Sequence, residues 1–86
     1  MPQFEVTGDL LSDLQKSIEH TTVMFISYVD RKGNNSSRNI APLEVRGDGF
    51  YAWDLEKNGL RLFKLMNVQD FNVTDDAFNP EYFTTQ

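Results

Sequence analysis

The chain has no cysteine, which excludes disulfides, thiolate zinc sites and thiol nucleophiles. The lack fits a reducing compartment, so a cytoplasmic location is expected. A single histidine, His20, leaves no room for a multi-histidine metal site. No apolar run approaches the roughly 20 residues that a membrane helix needs. The first residues show no basic region followed by an apolar stretch, so no secretory leader is expected. Phosphate-binding glycine loops, internal repeats and low-complexity stretches are also missing. No metal and no cofactor is therefore expected.

What is present fits one small domain. The chain has 86 residues, and a domain of that size buries only about 60–65% of its unfolded surface, so the core must be thin. Eight Lys and Arg against thirteen Asp and Glu give a net charge of −5. The charge is unevenly spread. Residues 1–15 and 65–86 hold acids and no base, whereas all eight basic residues lie within 16–64 beside six acids. A basic middle between acidic ends leaves room for a local anion site, which a uniformly acidic chain would not.

Leu10, Leu11, Leu14 and Ile18 recur at helical spacing, with Asp13, Gln15, Lys16 and Glu19 opposite them. A helix of about three turns is expected over residues 9–20, with Thr7 or Asp9 as its cap. It should end by His20, because Thr21-Thr22-Val23 is β-branched. From residue 22 to 74 the pattern is one of strands, at 23–29, 38–46, 50–55, 60–65 and 68–74. Turns are expected at 30–36, at Gly47-Asp48-Gly49 and at Asn58-Gly59. Pro42 cannot donate to a ladder, so the second strand is expected to be an edge, bent or bulged there.

One helix and five short strands make the string of a small antiparallel barrel. Its expected core is Ile26, Ile40, Leu43, Phe50, Phe63, Leu65 and Val68. Residues 1–75 are read as the domain and 76–86 as an acidic, aromatic tail.

Several segments then resemble the WYL domain family. They are Ile26-Ser27-Tyr28-Val29-Asp30, Arg38-Asn39-Ile40-Ala41-Pro42-Leu43, Gly49-Phe50-Tyr51-Ala52 and Leu60-Arg61-Leu62-Phe63-Lys64-Leu65. They stand in the family's order over about residues 18–75. The resemblance implies an Sm-type five-stranded barrel with an N-terminal helix. It also implies a non-catalytic module, as in bacterial transcription regulators and phage proteins, that binds a nucleotide or single-stranded nucleic acid. Three departures are visible. Phe50 and Ala52 replace the family's Trp and Leu, with Trp53 shifted. Asn67 stands where the family has a second arginine. No helix-turn-helix is present.

The residues themselves leave alternatives open. Arg61, among Leu60, Leu62 and Phe63, suits a phosphate or carboxylate, or a salt bridge to Asp54 or Asp30. Arg38 is a second candidate, or else a solvated strand-end charge. Lys64 has opposite strand parity to Arg61, so only one of the two is expected to reach a common ligand unless a bulge intervenes, and Arg61 is favoured. Tyr51 and Trp53 share parity and form a candidate stacking platform for bases, with Tyr28 as a third aromatic; each could equally be core. His20 reads as a surface residue at the helix end. Asp75-Asp76 diverge in extended backbone, and no serine has an activating partner, so no enzyme is expected.

Three functions remain open. One is an anion-binding module using Arg61, Arg38, Lys64, Tyr28, Tyr51 and Trp53. Another is an acidic interaction or inhibitor protein that docks on a protein partner through Asp75, Asp76, Phe78, Glu81, Tyr82 and Phe83, unless those aromatics fold back on the barrel. The third is homo-oligomerisation through exposed strand edges.

Overall fold

The computed structural model describes the backbone of residues 2–81 and the side chains of residues 9–81. Helix α1 spans Pro2–His20, longer than the three turns expected. Proline is at home in the first helical turn, where its missing N–H leaves no bond unmade. The helix therefore runs through Thr7, Gly8 and Asp9, and neither Thr7 nor Asp9 caps it. Its end falls as expected. Thr21 turns left-handed at φ 52°, and its hydroxyl donates to the His20 carbonyl at 2.6 Å.

Five strands follow: β1 Thr22–Val29, β2 Asn35–Arg46, β3 Gly49–Asp54, β4 Gly59–Lys64 and β5 Val68–Ala77. They form one antiparallel sheet in the order β4-β3-β2-β1-β5. A three-residue 3-10 turn, Leu65–Asn67, links β4 to β5 in place of a ladder. The sheet nevertheless curls into a barrel-like form. Tyr28 on β1 meets Phe63 on β4 edge to face, ring centroids 5.1 Å apart, although β2 and β3 lie between those strands in the sheet. Phe63 in turn stacks on Phe50 at 5.4 Å. Gly49 permits this closeness, since a Cβ there would lie 2.6 Å from the Phe63 carbonyl oxygen.

Helix α1 packs on β1, β2, β5 and the 3-10 turn. Its Leu10 and Leu14 join Met24, Ile26, Ile40, Phe50, Ala52, Phe63, Leu65 and Val68 in the core. Leu43 is the exception to the expected core and is only half-buried. The β2–β3 register slips between Pro42 and Glu44, so Leu43 falls in a bulge and leaves the inward-facing row. The same bulge accommodates Pro42, which is fully buried.

β5 runs through Asp75 and Asp76 to Ala77, which pairs with Thr22. The Phe78 amide then donates to the Thr21 carbonyl at 2.8 Å, and Phe78 is half-buried. Tyr82 and Phe83 lie outside the described residues. Within them, no helix is long and apolar enough to cross a membrane.

Candidate anion-binding groove

Register decides which side chains meet. The loop between β3 and β4 sets Ala52 opposite Arg61 and Phe50 opposite Phe63, so Arg61 lies on the inward face with Ala52 and Phe50. Likewise Arg38 pairs with Ile26, and Asp54 with Ile40. Ile26 and Ile40 are core residues, so Arg38 and Asp54 also face inward. An open groove of about 830 Å³ forms here, lined by Tyr28, Asp30, Arg31, Arg38, Arg61, Leu62, Phe63, Lys64 and Asn67. It lies between the start of the β1–β2 turn and strand β4.

Arg38 and Asp54 form the back of this region. The Arg38 Nη1 donates to Asp54 Oδ2 at 2.6 Å, with the Asp54 side chain fully buried. The other carboxylate oxygen of Asp54 accepts the amides of Glu56 at 3.0 Å and Lys57 at 3.1 Å. Burial raises the pKa of this carboxyl, but the Lys57 amide, the Arg38 guanidinium and the Glu56 amide together bring it below its ordinary value. One aspartate thus organises the β3–β4 turn and neutralises an arginine at once. Arg38 is not the solvated charge that its strand-end position suggested. Its Nε is buried without a hydrogen-bond partner.

Arg61 has no such partner. Asp54 is taken by Arg38, and Asp30 is taken by its own turn. The Asp30 carboxylate accepts the amides of Lys32 and Asn34, each at 2.9 Å. Its pKa is lowered chiefly by the Asn34 amide. Neither salt bridge considered for Arg61 exists. Among the described residues, Arg31, Arg61 and Lys64 are exposed and have no ion pair. Four cations therefore line the groove against one lining carboxylate, and the Asp54 charge behind Arg38 leaves an excess of two.

Lys64 lines the groove together with Arg61 despite its opposite parity. β4 is an edge strand, so a long side chain on either face can border a groove that opens along it. The Lys64 amide also donates to the Tyr28 hydroxyl at 3.0 Å, tying β4 to β1 and leaving the phenolic proton available. Tyr28 is therefore both a half-buried packing residue and part of the groove wall.

Tyr51 and Trp53 are not brought to this groove. They sit opposite Leu62 and Leu60 on the outer face of the hairpin. The Arg46 guanidinium lies 5.9 Å from the Tyr51 ring centroid, and Trp53 Nε1 donates to Asn58 Oδ1 at 3.3 Å. The alternation of the two strands could have foretold this, because the turn fixes Ala52, not Tyr51 or Trp53, opposite Arg61. Arg31 was missed altogether. It is a turn residue with no periodic pattern to betray it, and its one signal is its place beside Asp30. Asn67, where the resemblance expects an arginine, does line the groove.

No family model matches the chain, and no curated protein matches it. Among solved structures it is similar to the proteasome accessory factor B/C (PafBC) of Arthrobacter aurescens, with a TM-score of 0.80 at 19% identity. The match covers 93% of this chain but only 13% of that one. At this identity the likeness is one of fold, and it supports the WYL-like fold expected from the sequence.

Proposed function

We propose that this domain is a non-enzymatic, regulatory binding module that holds an anionic ligand, a nucleotide or single-stranded nucleic acid, in the groove beside β4. The observation that carries the reading is the trio Arg31, Arg61 and Lys64. These are three cations without an ion pair among the described residues, gathered on one groove of a chain with net charge −5. Clustered like charges repel one another, and a bound anion relieves that repulsion while gaining charge-assisted hydrogen bonds. The WYL resemblance points to the same chemistry.

The test is fluorescence anisotropy with a labelled oligothymidylate, across a range of salt, on the wild type and Arg61→Ala. Neutralising three single-strand phosphates gives a slope of about −2 in log affinity against log salt. Arg61→Ala is expected to weaken binding about tenfold, as loss of one charge-assisted contact does. Affinity indifferent to salt and to this substitution would overturn the reading. The label matters, because Trp53 faces away from the groove and is a poor reporter of it.

A further inference from the structure

Resting on that reading, we infer that the groove recognises an extended oligophosphate chain by its charge and does not read any base attached to it. Two features carry this. The first is the spread of the cations. Arg61 and Lys64 are three residues apart on β4, so their Cα atoms are roughly 10 Å apart. Arg31 comes from a separate segment, the β1–β2 turn. One compact phosphate cannot bridge this spread as well as a chain of them does.

The second feature is that no fully exposed aromatic face lines the groove among the described residues. Phe63 is only 2% exposed, held between Phe50 and Tyr28. Tyr28 is half-buried against it. Tyr51 and Trp53 are on the other face of the hairpin. Stacking on an exposed ring strengthens binding by about tenfold per base, and among the described residues the groove-lining rings are the buried Phe63 and the half-buried Tyr28. Its uncharged polar groups for a base edge are the Asn67 amide and the Tyr28 hydroxyl, against three cationic side chains without an ion pair, Arg31, Arg61 and Lys64, for phosphate. Phosphate contacts hold a ligand in place, whereas base contacts carry sequence information. This groove is built for the former.

The experiment is calorimetric titration of the full chain with tripolyphosphate, ATP, adenosine and orthophosphate. A second arm compares an oligothymidylate with an abasic deoxyribose-phosphate oligomer of equal length. Tripolyphosphate and ATP are expected to bind within about threefold of each other, orthophosphate about tenfold more weakly, and adenosine not at all. The two oligomers are expected to bind alike. Comparison of the arms tells whether free oligophosphates or nucleic-acid backbones are the better source of the shared chemistry. ATP binding more than about tenfold tighter than tripolyphosphate, or preference for the base-bearing oligomer, would overturn the inference and leave the anion site standing. Orthophosphate binding as tightly as tripolyphosphate would overturn it too. If no anion binds at all, the reading beneath it fails.

Discussion

Arg38 and Arg61 begin from the same sequence-level ambiguity and end in different physical states. Both face inward and both border one groove. Arg38 sits in a strand flanked on both sides, with its guanidinium against a fully buried carboxylate. Arg61 sits on the edge strand, exposed and without an ion pair among the described residues. The difference lies in where a carboxylate can reach. Asp54 ends β3 between Ile40 on β2 and Gly59 on β4, and its buried carboxylate is already engaged by Arg38 and by the amides of Glu56 and Lys57. One arginine thus belongs to the fold and the other is left for a ligand. Burial and partner together separate them.

That contrast gives a ranked set of expectations. The largest effect belongs to Arg38→Ala, which strands the Asp54 carboxylate in a buried position. Breaking such a pair from one side costs about 3 kcal/mol, which lowers the melting midpoint of a domain this size by roughly 12–24 °C. A loss below about 1 kcal/mol in urea denaturation would mean that Arg38 is as free as Arg61, and the contrast would collapse.

Next comes acid. The folded pKa of Asp54 is lowered, so its contribution is complete above the ordinary carboxylate range and fades as pH falls through that range and below. Stability measured from about pH 6 down to about pH 3 is expected to drop, and Asp54→Asn should flatten the drop while lowering the plateau. An unchanged slope in that variant would assign the acid sensitivity elsewhere. Smallest in stability is Arg61→Ala, expected within about 0.5 kcal/mol of wild type because no intramolecular partner is lost. Its effect should be on ligand affinity alone. A large loss of stability in this variant would reverse the roles of the two arginines.

Much of this arrangement was legible in the sequence. Phe50, Phe63, Ile26 and Ile40 announce the core through strand alternation, and Asn58-Gly59 and Gly47-Asp48 mark the turns that the chain makes. Those turns also hold the information that separates Tyr51 and Trp53 from Arg61, because a hairpin loop fixes register and register fixes the face. Pro42 signalled an edge, a bend or a bulge without saying which, so the half-buried place of Leu43 was not legible: a bulge shifts parity by one residue without altering the apolar pattern. Nor was the partner of Asp54. In the sequence Asp54 stood as a partner for Arg61 alone, and the pairing with Arg38 depends on sheet order and on strands folded far from one another in sequence. The length of α1 was obscured because weak alternation in Met1–Val6 competes with a proline that suits a helix start.

The bond from the Lys64 amide to the Tyr28 hydroxyl spans 36 residues, and the β1–β5 ladder joins Thr22 to Ala77. The hairpins β1–β2, β2–β3 and β3–β4 close over short turns. Loop-closure entropy therefore orders events in time, with local hairpins before distant pairings. Tyr28→Phe, which keeps the ring contact with Phe63 and removes the hydroxyl acceptor, is expected to speed unfolding and leave the folding rate nearly unchanged in stopped-flow measurements. Slowed folding instead would place this closure in the nucleus. Because the groove is walled by Tyr28 on one side and β4 on the other, it exists only once this late step is complete. A ligand that binds there selects finished molecules over nearly finished ones, and its presence prolongs their lifetime.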